Sequence, residues 1–127
     1  MNYTVRNNYK EIAEKFANYY YPTFDNNFVE LVHLFEPDSK FTYADQEVIG
    51  FNNLYTTLVN HFGINKIEHV VDDVKSQPLG DKTVIVQVKG RVSTNDNNPI
   101  NFVETFVLQY KFETKSFFCH SDIFNVV

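Results

Sequence analysis

The runs TVIVQVKGRV (residues 83–92), FVETFVLQYKF (102–112) and FFCHSDIF (117–124) decide the fold. In the first, Val84, Val86, Val88 and Val92 alternate with Thr83, Gln87, Lys89 and Arg91, and Ile85 interrupts the polar set. In the second, Phe102, Phe106, Leu108, Tyr110 and Phe112 alternate with Val103, Thr105, Val107, Gln109 and Lys111. The third sets Phe117, Cys119, Ser121 and Ile123 against Phe118, His120, Asp122 and Phe124. A period of two predicts strands, and apolar residues on both faces predict a sheet that cannot leave either face in water. The chain's own helices can cover one face. The other implies a partner subunit or a bound ligand.

A chain of 127 residues is read as one domain, long enough to bury roughly two-thirds of its unfolded surface. Hydrophobic residues make up 43% and aromatics 17%, which excludes disorder. The net charge is −5 with no basic cluster, which argues against nucleic acid and suits a basic protein partner. One cysteine permits neither an internal disulfide nor a thiolate metal cluster, and His33, His61, His69 and His120 show no ligand spacing. No metal and no cofactor are expected. The first ten residues lack a signal-peptide core and no run is long enough to span a bilayer, so the expected compartment is cytosol or nucleus.

Upstream of the strands, residues 1–7 are expected to form a short arm. Asn8 and Glu11 have capping-box spacing, and Tyr9, Ile12, Ala13, Phe16, Tyr19 and Tyr20 predict a helix that kinks or ends at Pro22. Phe28, Leu31, Val32 and Phe35 predict a second, shorter helix closed by Pro37. Lys40 to Ala44 and Glu47 to Phe51 predict a hairpin turning at Asp45 and Gln46. Phe51, Leu54, Tyr55, Leu58, Val59 and Phe62 predict a third helix stopped by Gly63. Asn65 to Gln77 reads as a further strand, turned by Pro78, Gly80 and Asp81. Helices preceding a curved antiparallel sheet predict an α+β cone.

Five segments carry a resemblance over nearly the full length: FANYYYPTFD (16–25), FTYADQEVIG (41–50), INKIEHVV (64–71), FVETFVLQY (102–110) and HSDIFNVV (120–127). Their joint order and spacing resemble the nuclear transport factor 2 (NTF2-like) family. The resemblance implies an NTF2-like cone, with three helices in the N-terminal half packed on a curved antiparallel sheet and a homodimer formed through that sheet. It implies a non-enzymatic carrier that binds the GDP form of a Ran-type small GTPase and phenylalanine-repeat nucleoporins, and so carries the GTPase through the nuclear pore between cytoplasm and nucleus. An apolar socket inside a charged collar would receive an aromatic side chain of the GTPase. Carried across by position, the socket comprises Tyr43, Phe62, Ile67, Ile123 and Phe124 with His69 nearby, the rim acids are Asp45 and Asp96, and Tyr9 takes the place of the nucleoporin-binding aromatic.

The chain departs from that family where charge matters. The acid expected directly after the hairpin aromatic is Ala44 here, and the carboxylate follows at Asp45. The loop that carries two further acids in the family retains Asp96 alone between Thr94 and Asn98. Residues 84–98, with FVETFVL and HSDIF, also resemble the related domain of the stress-granule Ras-GAP-binding proteins, which implies a Phe-peptide-binding scaffold as the first alternative. A small-molecule isomerase or dehydratase is the second. Its best candidates are His120 and Asp122, two apart and expected on one strand face near Tyr43 and His69, an arrangement that a structural hydrogen bond explains equally well. Cys119 and His120 are expected on opposite faces, which disfavours a thiol-imidazole pair.

Overall fold

Helix α1 spans Tyr9–Asn26 and buries Ala13, Ala17, Tyr20, Tyr21 and Phe24 along one stripe. The structure is a computed structural model describing residues 7–127, so residues 1–6 of the expected arm lie outside the described residues. Helix α1 does not end at Pro22 but continues past it to Asn26. An interior proline costs about 3 kcal/mol, whereas each large buried side chain contributes about 1.5–3 kcal/mol. Tyr21 and Phe24 flank Pro22 and are both buried, so continuing the helix wins. The carbonyl deprived of its partner belongs to Asn18, on the exposed side. Beyond the proline, Asn26 Nδ2 donates to the Pro22 carbonyl at 2.9 Å and the Asn27 amide to Thr23 at 2.8 Å, closing the last turn. At the other end Asn8 is the N-cap but makes no side-chain cap hydrogen bond, so the expected capping box does not form. Glu11 instead pairs with Lys15 at 3.0 Å.

The second helix is a 3-10 helix over Phe28–Leu34 that buries only Leu31. It yields directly to strand β1 (Phe35–Tyr43), five residues earlier than expected. Pro37 therefore sits inside a strand rather than closing a helix. The pairing of β1 shifts register between Phe35 and Lys40, an irregularity that accommodates a residue without an amide hydrogen. Ser39 secures the bend, accepting from the Glu36 amide at 2.9 Å and donating to the Cys119 carbonyl at 2.6 Å. Strand β2 (Gln46–Ile49) folds back after a turn at Ala44 and Asp45, with Ala44 at φ 55. Helix α2 (Phe51–Thr56) continues as a π-helical turn over Thr57–His61, and Gly63 at φ +65 ends it.

Strands β3 (Ile67–Leu79), β4 (Thr83–Thr94), β5 (Ile100–Lys111) and β6 (Ser116–Val126) complete a curved, open sheet in the order β2-β1-β6-β5-β4-β3. Only the β1–β6 pair is parallel. Pro78 lies within β3 and pairs with Val84, so it prolongs this edge strand instead of turning it. The concave face holds Val84, Val86, Val88, Phe102, Phe106, Leu108 and Cys119, all at or below 1% exposure. Helix α1 packs there, with Phe16 and Tyr20 edge-on to Phe106 at 4.8 and 4.9 Å. Gly90 permits a close crossing: a Cβ at that position would meet the Val70 carbonyl at 2.2 Å and the Phe102 ring at 2.9 Å. The opposite face carries Ile85, Val103 and Val107, only half-buried, and Ile123 at 47% exposure. The expected uncovered apolar sheet face is present.

One bulge changes the phase of β6. Pairing with β5 slips between Val107↔Ser121 and Leu108↔Cys119, which leaves His120 as the extra residue. Cys119 and Asp122 consequently both face the core, while His120 is exposed. The expectation that His120 and Asp122 share a face is thereby corrected.

Candidate functional site

The open end of the cone holds an apolar cavity of about 210 Å³. Its walls come from β1, β3, β4, β5, β6, the π turn and the segment that leads from it to β3. The end of β1 supplies Tyr43, β6 Phe124, the start of β3 Ile67 and His69, the π turn Leu58, and the residues leading to β3 Phe62 and Ile64. Tyr43 and Phe124 stack with centroids 5.0 Å apart at 10°, and Phe102 stacks beyond them at 5.4 Å. Five of the sequence-derived socket residues therefore meet: Tyr43, Phe62, Ile67, His69 and Phe124. Ile123 does not. Neighbouring strand residues point to opposite faces, and with Phe124 turned in, Ile123 turns out beside Thr42 and Thr105 on the uncovered face.

The two rim acids lie outside the cavity wall. Asp45 is exposed in the β1–β2 turn, immediately after Ala44, which does reach the wall. Asp96 sits at the tip between β4 and β5 and pairs with Lys66 at 2.7 Å, both side chains more than half exposed. That tip is fastened by Asn95, whose Oδ1 accepts from the Asn65 and Lys66 amides at 3.0 and 3.2 Å and whose Nδ2 donates to the Gly63 carbonyl at 2.9 Å. Tyr9 is half-buried and packs against the core from the start of α1. One turn further along α1, Ile12, Phe16 and Tyr19 form a separate apolar groove of about 270 Å³ with Leu34, Phe117 and Phe118.

His69 stands in the cavity wall as half of a fixed pair. Its Nδ1 is 2.6 Å from Asp25 Oδ1, and its backbone amide donates to Asp25 Oδ2 at 2.7 Å. A carboxylate only accepts, so the Asp25 contact places the ring proton on Nδ1. The imidazole side chain is 3% exposed and is packed by Tyr21, Phe24 and Phe102 at 4.9, 5.1 and 5.5 Å. Asp25 is available only because α1 passes Pro22.

Beneath the cavity lies a buried polar network. Glu104 and Asp122, each 1% exposed, occupy core positions of β5 and β6. Tyr21 donates to Glu104 Oε1 at 2.9 Å, and Tyr20 donates to Asp122 Oδ2 at 3.4 Å. The Tyr43 hydroxyl lies between the acids, 3.1 Å from Glu104 Oε2 and 3.4 Å from Asp122 Oδ2. Asp122 Oδ1 is buried without a partner of the ordinary donor kind. Burial, and next the charge of Glu104, raise the Asp122 carboxyl well above the usual aspartate range, with a hydrogen bond between the two carboxyl groups adding to the rise. Such a bond requires a proton shared between the two carboxyl groups, and the rise at Asp122 favours Asp122 as its holder. Burial likewise pushes the hydroxyls of Tyr20, Tyr21 and Tyr43 up, so they stay donors. Cys119 is a core residue, 1% exposed, and its burial pushes the thiol up.

A folded state that holds a proton the unfolded chain has released loses stability as pH rises. The contribution of Asp122 is complete below its ordinary value of 3.8 and declines above it, up to the raised folded value. Urea unfolding measured at several pH values should show this decline. Asp122→Asn, whose amide donates to Glu104 at every pH, should flatten it; an unchanged slope would place the proton elsewhere.

Among the described residues, no cluster of three or more His, Cys, Asp or Glu side chains is placed to hold a metal. No described helix is long and apolar enough to cross a membrane.

Comparison with known proteins adds sequence and structural relatives. The family model described as the nuclear transport factor 2 (NTF2) domain matches residues 12–126. Nuclear transport factor 2 of Emericella nidulans is 28% identical over 121 residues, covering 94% of this chain and 95% of that one. The probable nuclear transport factor 2 of Caenorhabditis elegans is 30% identical over 128 residues, covering 93% and 92%. Among solved structures, nuclear transport factor 2 from Cryptosporidium parvum superposes with a TM-score of 0.81 at 27% identity, covering 100% and 99%. A putative scytalone dehydratase from Novosphingobium aromaticivorans shares the fold alone, at 13% identity and a TM-score of 0.74 over 96% and 87% of the two chains.

Proposed function

The chain belongs to the nuclear transport factor 2 domain family, and we propose that it is a nuclear import carrier for the GDP form of a Ran-type GTPase. The observation that carries this reading is the cavity: a mouth about 210 Å³ in volume, walled by Leu58, Phe62, Ile67 and Phe124, that suits one aromatic side chain of a protein partner. An apolar anchor buried inside a polar rim is the common form of a binding hot spot. Asp45 and Asp96, both exposed, would meet a basic partner surface. Asp96 must first exchange Lys66 for the partner's cation, so its contribution is small.

Passage through the pore would rest on a second surface. The groove of Ile12, Phe16, Tyr19, Leu34, Phe117 and Phe118 is apolar and aromatic, and a phenylalanine side chain from nucleoporin repeats fits its chemistry. Tyr9 stands one helical turn away from it. The half-buried apolar face around Ile85, Val107 and Ile123 supports a homodimer formed through the sheet.

Asp96→Ala tests the collar. GTPase affinity should fall by less than about tenfold and become less sensitive to added salt. Affinity unchanged across the salt range would remove Asp96 from the interface.

A further inference from the structure

We propose that Lys66 is an internal competitor for the rim acid Asp96, and that by holding it the chain shifts recognition of its partner from charge to the cavity. This inference rests on the carrier reading, which supplies the basic partner surface. Three observations lead there. First, Lys66 Nζ donates to Asp96 Oδ1 at 2.7 Å across 30 residues of sequence. Second, the backbone fixes both ends of that pair. The Asn95 amide donates to the Lys66 carbonyl at 2.9 Å, and Asn95 Oδ1 accepts from the Lys66 amide at 3.2 Å. Asn95 and Asp96 have φ of 51 and 64, and the Asn97 amide closes their turn on the Thr94 carbonyl at 2.9 Å. Two positive φ values in succession are those of a tight hairpin turn, which holds Asp96 at a set place opposite Lys66. Third, the pair stands at the cavity mouth, because Ile67 follows Lys66 and Thr94 precedes Asn95, and both line the cavity.

Away from the cavity the pair shares a polar recess of about 220 Å³ with Glu68, Ser93 and Asn97. Among the described residues that line this recess, Lys66 is the one cation, set between two carboxylates. A partner cation that reaches Asp96 must displace Lys66, and the exchange replaces one ion pair by another of the same kind. The displaced ammonium stays at the mouth as a like charge facing the partner. An exposed pair is held by about fivefold at most, so the displacement occurs, but what the partner gains at Asp96 is largely cancelled. Binding then rests on the side chain seated in the cavity. A basic protein that lacks such a side chain gains little from this rim.

Lys66→Gln, titrated with the GDP-loaded GTPase beside the unaltered chain, tests the competition. Affinity should rise by about three- to tenfold at low salt, and the gain should shrink as salt is added. A lysine that served the interface directly would show the opposite sign. Tm should stay in place, since both side chains of the pair are exposed. Asp96→Ala should cost at least about three times more affinity in the Lys66→Gln background than in the unaltered chain, because only there is Asp96 free for the partner. Lys75→Gln controls for net charge. It removes the same charge from β3 about 30 Å away and should leave affinity within about twofold. Affinity unchanged or lowered in Lys66→Gln, or an equal gain in Lys75→Gln, would overturn the proposal and leave the carrier reading standing. Binding by neither the unaltered chain nor Lys66→Gln would overturn both.

Discussion

Replacing Glu104 by alanine should lower the free energy of unfolding by about 3–5 kcal/mol, because it leaves buried donors without an acceptor and opens a cavity. Glu104 is the acceptor for Tyr21 at 2.9 Å and Tyr43 at 3.1 Å and the partner of the protonated Asp122. Its loss strands the Tyr21 hydroxyl and the Asp122 carboxyl at positions closed to water, each costing about 1–3 kcal/mol, leaves Tyr43 its longer contact of 3.4 Å to Asp122 Oδ2, and opens a cavity in addition. Asp122→Asn keeps the donor facing Glu104 and should cost less than about 1.5 kcal/mol. The pair of variants, measured by urea unfolding at neutral pH, separates the two carboxyl groups. Equal losses for both would mean that Glu104 and Asp122 are interchangeable and that the proton has no fixed place.

The second large effect concerns the partner. Ile67→Trp places an indole where the account seats an aromatic side chain of the GTPase, because Ile67 stands at the start of β3 in the cavity wall and is itself only half-buried. Affinity for the GDP-bound GTPase should fall by about 30-fold or more, since closing the anchor pocket of an interface removes a contribution of about 2 kcal/mol or greater. Tm should change little, because the added ring fills existing space. Calorimetric titration checks the affinity. Undiminished binding by Ile67→Trp would show that the partner docks somewhere other than the cavity.

Much of this arrangement is legible from residue spacing. Val84, Val86 and Val88 announce their buried face by strict alternation, and Phe102, Phe106 and Leu108 announce theirs. Tyr43, Phe62, Ile67, His69 and Phe124 converge as the family resemblance implies. The departures have local causes. Pro22 reads as a stop, yet it follows Tyr21 and precedes Phe24, and the burial of both outweighs one lost hydrogen bond. His120 occupies a bulge that spacing does not reveal, and that one residue parts it from Asp122, which faces the core. Ile123 was carried across from the family's positions, although its own alternation with Phe124 turns it outward. Glu104 shares parity with Phe102 and Phe106, so its spacing alone places a carboxyl group in the core, where it must find donors or a proton. Asp25 could be found by no spacing rule, because it reaches His69 across 44 residues and only tertiary packing joins them.

The carrier reading stands or falls on nucleotide-dependent recognition. The purified chain should be titrated with a Ran-type GTPase loaded in turn with GDP and with a GTP analogue, and the heat of binding recorded for each. Saturable binding confined to the GDP form is the predicted result, with Asp45 and Asp96 serving where the family's acids are absent. Binding to neither form, or equal binding to both, would contradict it.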